Sequence, residues 1–428
     1  MRISTTMQYQ NALAYIQNAN SAVDEAASQY STGKLFETAS EDPAGMSAKI
    51  KYDSAIASYA QYTRNAGFAY DDLTEEETAL EAMWTTLSSV NTSLIQAVDG
   101  TNDSESLDAI AEYLESLRDQ LFDLMNTQNT EGEYIFSGSQ SSVPTMTLTS
   151  DGTYTCQADG STRSVQISPS ITVQTSDSGL NIFENCSLAN TLSYEDGVTL
   201  DGVTLTEDEV DDLIYVMVAD YDEYDSLYDS YYDYTTSGEG TNYFTITVNT
   251  DGTFTVYDRD GEELASGDVE LNDDGSGTIE TMGVSVSLFA DYYNSGEPES
   301  EMEITVTLDK PSKGNILNVL TDVIDALRNE DLTSEELSDI LAQAEVSVQN
   351  AMDQYDTYRG RVGARLSNIE SVIESNEALE DIKTEALASI TEIDTYEAVT
   401  NLVMAQMSLE VAEQVFSVVQ GTSLFDYI

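Results

Sequence analysis

The stretch Leu402-Val403-Met404-Ala405-Gln406-Met407-Ser408-Leu409-Glu410-Val411-Ala412-Glu413-Gln414-Val415-Phe416-Ser417-Val418-Val419 decides the fold. Leu402, Leu409 and Phe416 recur every seven residues, and Ala405, Ala412 and Val419 follow each by three. This is the seam of a helix that lies lengthwise on another helix. The start of the chain carries a second seam. Tyr9, Ile16, Val23 and Tyr30 lie seven apart, followed four residues later by Leu13, Asn20 and Ala27. Neither stripe can be buried by its own helix, and the simplest partner for each is the other end of the chain. That pairing closes a rod from both termini and sets the middle of the chain outward as an insertion.

Further helices are expected inward from both ends. Gly33 can end the first helix, and in Ser40-Glu41-Asp42-Pro43-Ala44-Gly45 the aspartate suits a cap and the proline a first turn. Leu73, Leu80, Leu87 and Leu94 then lie seven apart, with Met83, Val90 and Ala97 three beyond the later ones. A helix from about Pro43 to Val98 would be roughly 80 Å long, with Asp99-Gly100-Thr101-Asn102-Asp103 breaking it. Leu107, Leu114 and Leu121 interleave with Ile110, Leu117 and Leu124 in a third helix, after which Glu133-Tyr134-Ile135-Phe136-Ser137-Gly138 reads as a strand or hairpin arm. On the return side Ile316, Leu320, Val323 and Leu327 mark one helix, and Leu341, Val348, Tyr355, Val362 and Ile369 a second, longer one. Gly360 and Gly363 inside that seam are costly for a lone helix and suggest close approach by a neighbouring backbone, a plain flexible point being the alternative.

From about Ser141 to Asp309 the pattern changes. Asp-Gly pairs begin at Asp151, Asp159, Asp196, Asp201, Asp251, Asp260 and Asp274, and this dipeptide suits the positive φ angles of tight hairpins. Between them lie alternating runs such as Tyr243-Phe244-Thr245-Ile246-Thr247-Val248 and Val284-Ser285-Val286-Ser287-Leu288. Leu213, Met217, Tyr221, Tyr224, Tyr228 and Tyr231 instead step by three and four, which predicts one short helix whose aromatic face packs on the sheet. The expected fold class is α+β, in three parts: residues 1–36 with 395–428 as a terminal coiled coil, 37–141 with 311–394 as a helical rod, and 142–310 as an acidic β-rich insertion.

Composition narrows function mainly by exclusion. The 428 residues carry 79 acids, 15 bases and no histidine, a net charge of −64. Residues 141–310 hold 35 of the acids against Arg163, Arg259 and Lys310. No basic patch is available to displace counterions, so nucleic acid is not an expected partner. No apolar run reaches the roughly 18 residues of a membrane span, so membrane insertion is not expected either, and the N-terminal stretch lacks the apolar core of a secretory signal. Without histidine, Ser-His-Asp and Cys-His catalysis are unavailable, and the two cysteines, Cys156 and Cys186, can be a disulfide or two thiols. No catalytic residue, cofactor or metal site is assigned. Asp258-Arg259-Asp260-Gly261-Glu262 and Asn272-Asp273-Asp274-Gly275 offer closely spaced oxygens, but neither fits a calcium loop ending in glutamate, and ordinary acidic turns explain them better.

The chain resembles the flagellin-like axial proteins of the bacterial flagellum. The resemblance is carried by Met1-Arg2-Ile3-Ser4-Thr5, Ser31-Thr32-Gly33-Lys34 with Ser40–Gly45, Leu117-Arg118-Asp119-Gln120-Leu121, Tyr134–Gly138, Arg361-Val362-Gly363-Ala364-Arg365-Leu366 and Gln420–Phe425. It covers about residues 1–140 and 312–428. It implies terminal helices paired around an export channel, export through the flagellar apparatus without a cleaved signal, and a non-enzymatic part in motility. It also implies homo-oligomeric packing on a helical lattice, in which seam residues (Tyr9, Ile16, Val23, Leu402, Leu409 and Phe416) meet other subunits. Implied partners are the first hook-associated protein on one side, flagellin on the other, and a flagellar export chaperone. The alternatives are the filament subunit itself, against which Ile3-Ser4-Thr5-Thr6 and Glu41-Asp42-Pro43-Ala44-Gly45 argue, and a secreted adhesive or cation-binding protein acting through its middle. Copies this acidic repel one another over a Debye length of about 10 Å at 0.1 M salt. Side-by-side assembly should therefore strengthen as ionic strength rises, and sedimentation showing equal assembly at low and high salt would contradict this.

Overall fold

The computed structural model describes residues 5–98, 103–194, 197–206, 210, 213–232, 242–272, 276–289, 292–294, 297–298 and 300–421. The opening Met1-Arg2-Ile3-Ser4, the break at Asp99–Asn102, Asp196, the turn residues Asp273-Asp274-Gly275 and the closing Thr422-Ser423-Leu424-Phe425 lie outside the described residues. The described α-helices are α1 (Thr5–Thr32), α2 (Pro43–Ala97), α3 (Ser104–Met125), α4 (Tyr221–Tyr231), α5 (Ile316–Arg328), α6 (Ser334–Thr391) and α7 (Thr395–Gly421). With the β region between α3 and α5, the fold class is α+β. The chain divides into two compact units: one holds the chain up to Ala69, Val165–Val173 and the chain from Ser367, the other Tyr70–Ser164 and Gln174–Leu366.

In the first unit α1 stops at Gly33, whose φ of +69° is the left-handed conformation that closes a helix. Asp42 caps α2 as the sequence predicts, its carboxylate accepting from the Ala44 amide at 3.0 Å, with Pro43 in the first turn. Gly45 answers a spatial demand: a Cβ there would lie 2.7 Å from the buried Phe36 ring and collide with the Asp42 carboxylate. The tip of a hairpin, Val165–Val173, belongs to this unit. Asn65 donates to the Gln166 carbonyl at 3.0 Å, and the buried Asn376 donates to the Ile167 carbonyl at 2.8 Å. Asn376 lies seven residues beyond Ile369, so the α6 seam carries a donor where a strand's carbonyl must be satisfied.

In the second unit the seams of α2 and α6 are buried as the spacing predicts, while on α3 Leu114, Leu117 and Leu121 are buried and Leu107, Ile110 and Leu124 half-buried. Leu73, Leu80, Leu87, Leu94, Met83 and Val90 of α2 are fully enclosed, as are Val348, Tyr355 and Val362 of α6. Each such side chain contributes roughly 1.5–3 kcal/mol through burial. α3 packs on α5, where Arg328 reaches Glu115 at 2.9 Å and Arg118 reaches the Thr321 hydroxyl at 3.3 Å. Side chains cap the starts of these helices. Asn315 accepts from the Leu317 amide at 2.9 Å, and Thr333 with Glu336 forms a reciprocal capping box at α6.

The β region holds two main antiparallel sheets. The seven-stranded one runs in the order Glu263–Asp268, Thr253–Asp258, Tyr243–Val248, Met302–Leu308, Val198–Leu200, Val203–Thr204, with Leu192–Ser193 also paired to Met302–Leu308. The four-stranded one runs Glu270–Leu271, Gly277–Thr281, Val284–Leu288, Ile214–Val218. Inward positions such as Phe244, Ile246, Val286 and Ile304 share one core with Tyr224 and Tyr228 of α4. Gly152, Gly202, Gly252 and Gly261 take the positive φ that their Asp-Gly turns require. Cys156 and Cys186 are free thiols, pushed up by burial to about 11 and about 12, so neither is a ready nucleophile.

Three local expectations are corrected. Glu133–Gly138 keeps only a single antiparallel bridge, Tyr134 to Gln128, and is otherwise turn and bend rather than a strand, because the adjacent Ile135 and Phe136 are both buried and no alternation survives. Phe136 stacks edge-on to Phe183 at 5.1 Å, which in turn meets Tyr355 at 5.8 Å. Leu213 and Met217 do not begin the aromatic helix. Ile214–Val218 is a strand, and the helix starts only at Tyr221; Tyr221, Tyr224 and Tyr228 pack on the sheet as predicted, while Tyr231 is 41% exposed. Gly360 and Gly363 meet no neighbouring backbone: nothing lies within 4 Å of a Cβ built at either. Gly360→Ala should therefore raise stability by about 1 kcal/mol, whereas Leu87→Ala should lower it by about 2–5 kcal/mol. Thermal unfolding checks both, and a loss of stability for the glycine variant would reveal a contact at that point.

Candidate assembly surface

The terminal helices α1 and α7 run antiparallel and in contact. One end of the pair is closed by main-chain bonds, Leu35 donating to the Thr391 carbonyl at 2.7 Å and Ile393 to the Gly33 carbonyl at 3.0 Å, around a bridge between Lys34 and Glu392. Toward the other end the rings of Tyr9 and Phe416 lie 5.2 Å apart. The same offset places Ile16 across from Leu409 and Val23 across from Leu402. All six seam residues singled out in the sequence thus lie on the contact between the chain's own two helices. Five are half-buried and Tyr9 is 44% exposed.

The second line of the α1 seam differs from expectation. The buried residues are Ala12, Ala19 and Ala26, three beyond Tyr9, Ile16 and Val23, while Leu13 is 40% exposed and Asn20 faces solvent. A buried Asn20 would leave an amide unpaired, whereas alanine costs nothing polar and lets two helices approach closely. On α7 the expected lines hold. Leu402, Ala405, Leu409, Ala412, Phe416 and Val419 are half-buried, and Ala398 extends the row fully buried.

The sequence reading missed the residues that α1 leaves uncovered. Val399, Val403, Met407, Val411, Val415 and Val418 step mainly by four along α7, and Met404 lies beside them. All are exposed, from 41% at Val399 to 67% at Val418. Their step of four is present in the sequence beside the stronger seven-residue seam. An 18-residue window of α7 reaches a mean hydropathy of 1.3, so by length and composition alone the helix could cross a membrane, although charged and polar residues interrupt its apolar run. A helix apolar on more than one side needs more cover than one partner supplies. Between Thr5 and Gly33, and from Thr384 to Gly421, the chain has no lysine or arginine, while Asp24, Glu25, Glu385, Glu392, Asp394, Glu397, Glu410 and Glu413 are acidic. Two copies of this surface have no opposite charges to pair, which leaves apolar burial as the attraction.

Among the described residues no group of three or more cysteines, aspartates or glutamates is placed to hold a metal. In the Asp258–Glu262 turn one Asp258 oxygen is spent on the amides of Asp260 at 2.9 Å and Glu262 at 2.7 Å, and Gly261 takes a φ of +82°. The geometry is that of an acidic hairpin turn.

The bacterial flagellin N-terminal helical region matches residues 3–141, and the bacterial flagellin C-terminal helical region matches residues 346–428. The chain belongs to the bacterial flagellin family that these two helical regions define. Flagellar hook-associated protein 3 of Escherichia coli (strain K12) is 33% identical over 138 residues, which is 32% of this chain and 44% of that protein. The protein of the same name from Salmonella typhimurium is 32% identical over the same lengths. The match thus spans less than half the length of these curated relatives. Among solved structures, flagellar hook-associated protein 3 from Legionella pneumophila is 19% identical with a TM-score of 0.55, covering 79% of this chain and 98% of that one. FlgL of Xanthomonas campestris is also 19% identical, with a TM-score of 0.54 over 79% of this chain and 99% of that one. These likenesses show a shared fold.

The α1–α7 register makes a direct prediction. With Cys156 and Cys186 replaced by serine, Ile16→Cys with Leu409→Cys should form an intramolecular disulfide on mild oxidation, whereas Ile16→Cys with Val411→Cys should not. Mass spectrometry of tryptic fragments distinguishes the two.

Proposed function

We propose that this chain is a structural adaptor of the bacterial flagellum that joins the hook-associated proteins to the flagellin filament and turns over no substrate. The observation that carries the reading is the exposed valine–methionine row of α7, in a chain whose two ends are flagellin helical regions. The paired Tyr9/Phe416, Ile16/Leu409 and Val23/Leu402 layers present that row, and neighbouring copies in a helical lattice cover it. The first hook-associated protein meets the assembly on one side and flagellin on the other. Before assembly the same row needs a cover, and an export chaperone supplies one.

The relatives named hook-associated protein 3 favour the junction over the bulk filament, as does Pro43, which stands where flagellins more usually carry alanine. In the junction reading the inserted β region is a decoration and α7 is the working part. Deleting the gene should leave intact hooks on cells and monomeric flagellin in the medium, whereas cells that keep filaments would overturn the reading. Val411→Asp with Val415→Asp should leave the β region folded by circular dichroism yet abolish filament attachment. Leu409→Asp with Phe416→Asp should do the same by parting α7 from α1. Normal filaments in both variants would refute the role of the terminal pair.

A further inference from the structure

Away from the terminal helices, the second unit encloses a cluster of two carboxyls and one guanidinium. Glu76 of α2 is 1% exposed, and Asp177, in the segment Gln174–Ser178, is 5% exposed. Arg365 of α6 grips Asp177 with both terminal nitrogens, Nη1 to Oδ2 at 2.7 Å and Nη2 to Oδ1 at 3.0 Å. Gln174 adds a third bond to Asp177 at 2.7 Å. The Asp177 amide donates to Glu76 Oε1 at 3.1 Å, while Glu76 Oε2 is enclosed without a hydrogen-bond partner. The arginine is committed to Asp177, so an ionised Glu76 would put a second negative charge into a space holding one positive charge. Buried charge of that kind is relieved by taking up a proton.

We propose that this cluster is a proton-operated clamp: Glu76 is a neutral carboxylic acid in the folded protein, and its ionisation releases the Gln174–Ser178 segment from α2 and α6. Burial is the main cause that pushes Glu76 up to about 8, and the Asp177 charge adds to it, while the Asp177 amide and Arg365 pull the other way. These are the groups that face Glu76. The next ion pair between the same helices, Arg359 with Glu81 at 3.8 Å, joins residues outside the cluster. An acid whose folded value is raised contributes stability that is complete below its unfolded value, near 4.5, and is lost as pH rises toward about 8. Folding at neutral pH therefore takes up one proton at this site, and the second unit is weakest on the alkaline side.

Denaturant unfolding of the full chain from pH 5 to pH 9, compared with Glu76→Gln, tests the clamp. Asp339, Asp72 and Asp322 are also raised by burial, but they are common to both proteins and cancel in the difference. The folding constant of the natural chain should fall relative to Glu76→Gln by close to tenfold per pH unit across most of the interval from about 5 to 8. Amides of Ser176–Ser178 should lose protection over the same interval in the natural chain alone. Should the glutamine variant fail to fold, Asp177→Asn decides: it frees Arg365 for Glu76, lets Glu76 ionise, and should remove the same pH dependence. Parallel stability curves for the natural chain and the folding variant would overturn the proposal.

Discussion

The alanine line Ala12, Ala19 and Ala26 brings α1 close to α7, and the terminal unit depends on that contact. A seven-residue stripe on a single helix cannot bury itself, and forming a lone helix carries a nucleation cost that only tertiary contacts repay. Here the two chain ends supply those contacts for each other. Main-chain bonds around Lys34 and Glu392 and the ring contact of Tyr9 with Phe416 hold one register. Because alanines make the seam narrow, α1 covers only part of α7. The valines and methionines on the rest of that helix stay in solvent at a cost the isolated chain cannot recover.

Charge explains why that cost is tolerable in a single copy. The net charge of −64 keeps copies apart, which protects an exposed apolar helix from indiscriminate aggregation. The helices that carry the apolar row have few charges, all of them acidic, so contact between them gains from burial and loses little to repulsion once salt is present. The β insertion carries much of the remaining charge. Its acids do local work as well: in the turns, Asp251 accepts from the Thr253 amide and Asp258 from those of Asp260 and Glu262.

The helical half of the fold was legible because its signal repeats. Leu73 to Leu94 and Leu341 to Ile369 each restate one spacing several times, and chance rarely does so. The misreadings fall where a signal was short or a spacing ambiguous. A seam can continue at three or four residues, and on α1 the choice fell to Ala12 rather than Leu13 because Asn20 could not be buried unpaired. Leu213 and Met217 fit a helical step by coincidence, but pairing distant in sequence claims them: Met217 lies in the strand beside Val284–Leu288, and the Leu213 carbonyl accepts from the Phe289 amide. The uncovered row of α7 was visible as a spacing, yet which row a partner covers depends on helix orientation, which no single helix encodes. The clamp joins Glu76 to Asp177, 101 positions further along the chain, and Asp177 to Arg365, another 188 beyond it, separations no local pattern reports.

Amide hydrogen exchange across α7, compared between the free chain and the chain recovered within flagella, tests the account most directly. Exposed backbone on a helix with little cover should exchange fast in the free chain, and residues Val399–Val418 should become strongly protected in the assembled state. Fast exchange along that row in assembled protein would show that assembly leaves it uncovered, and would contradict the account.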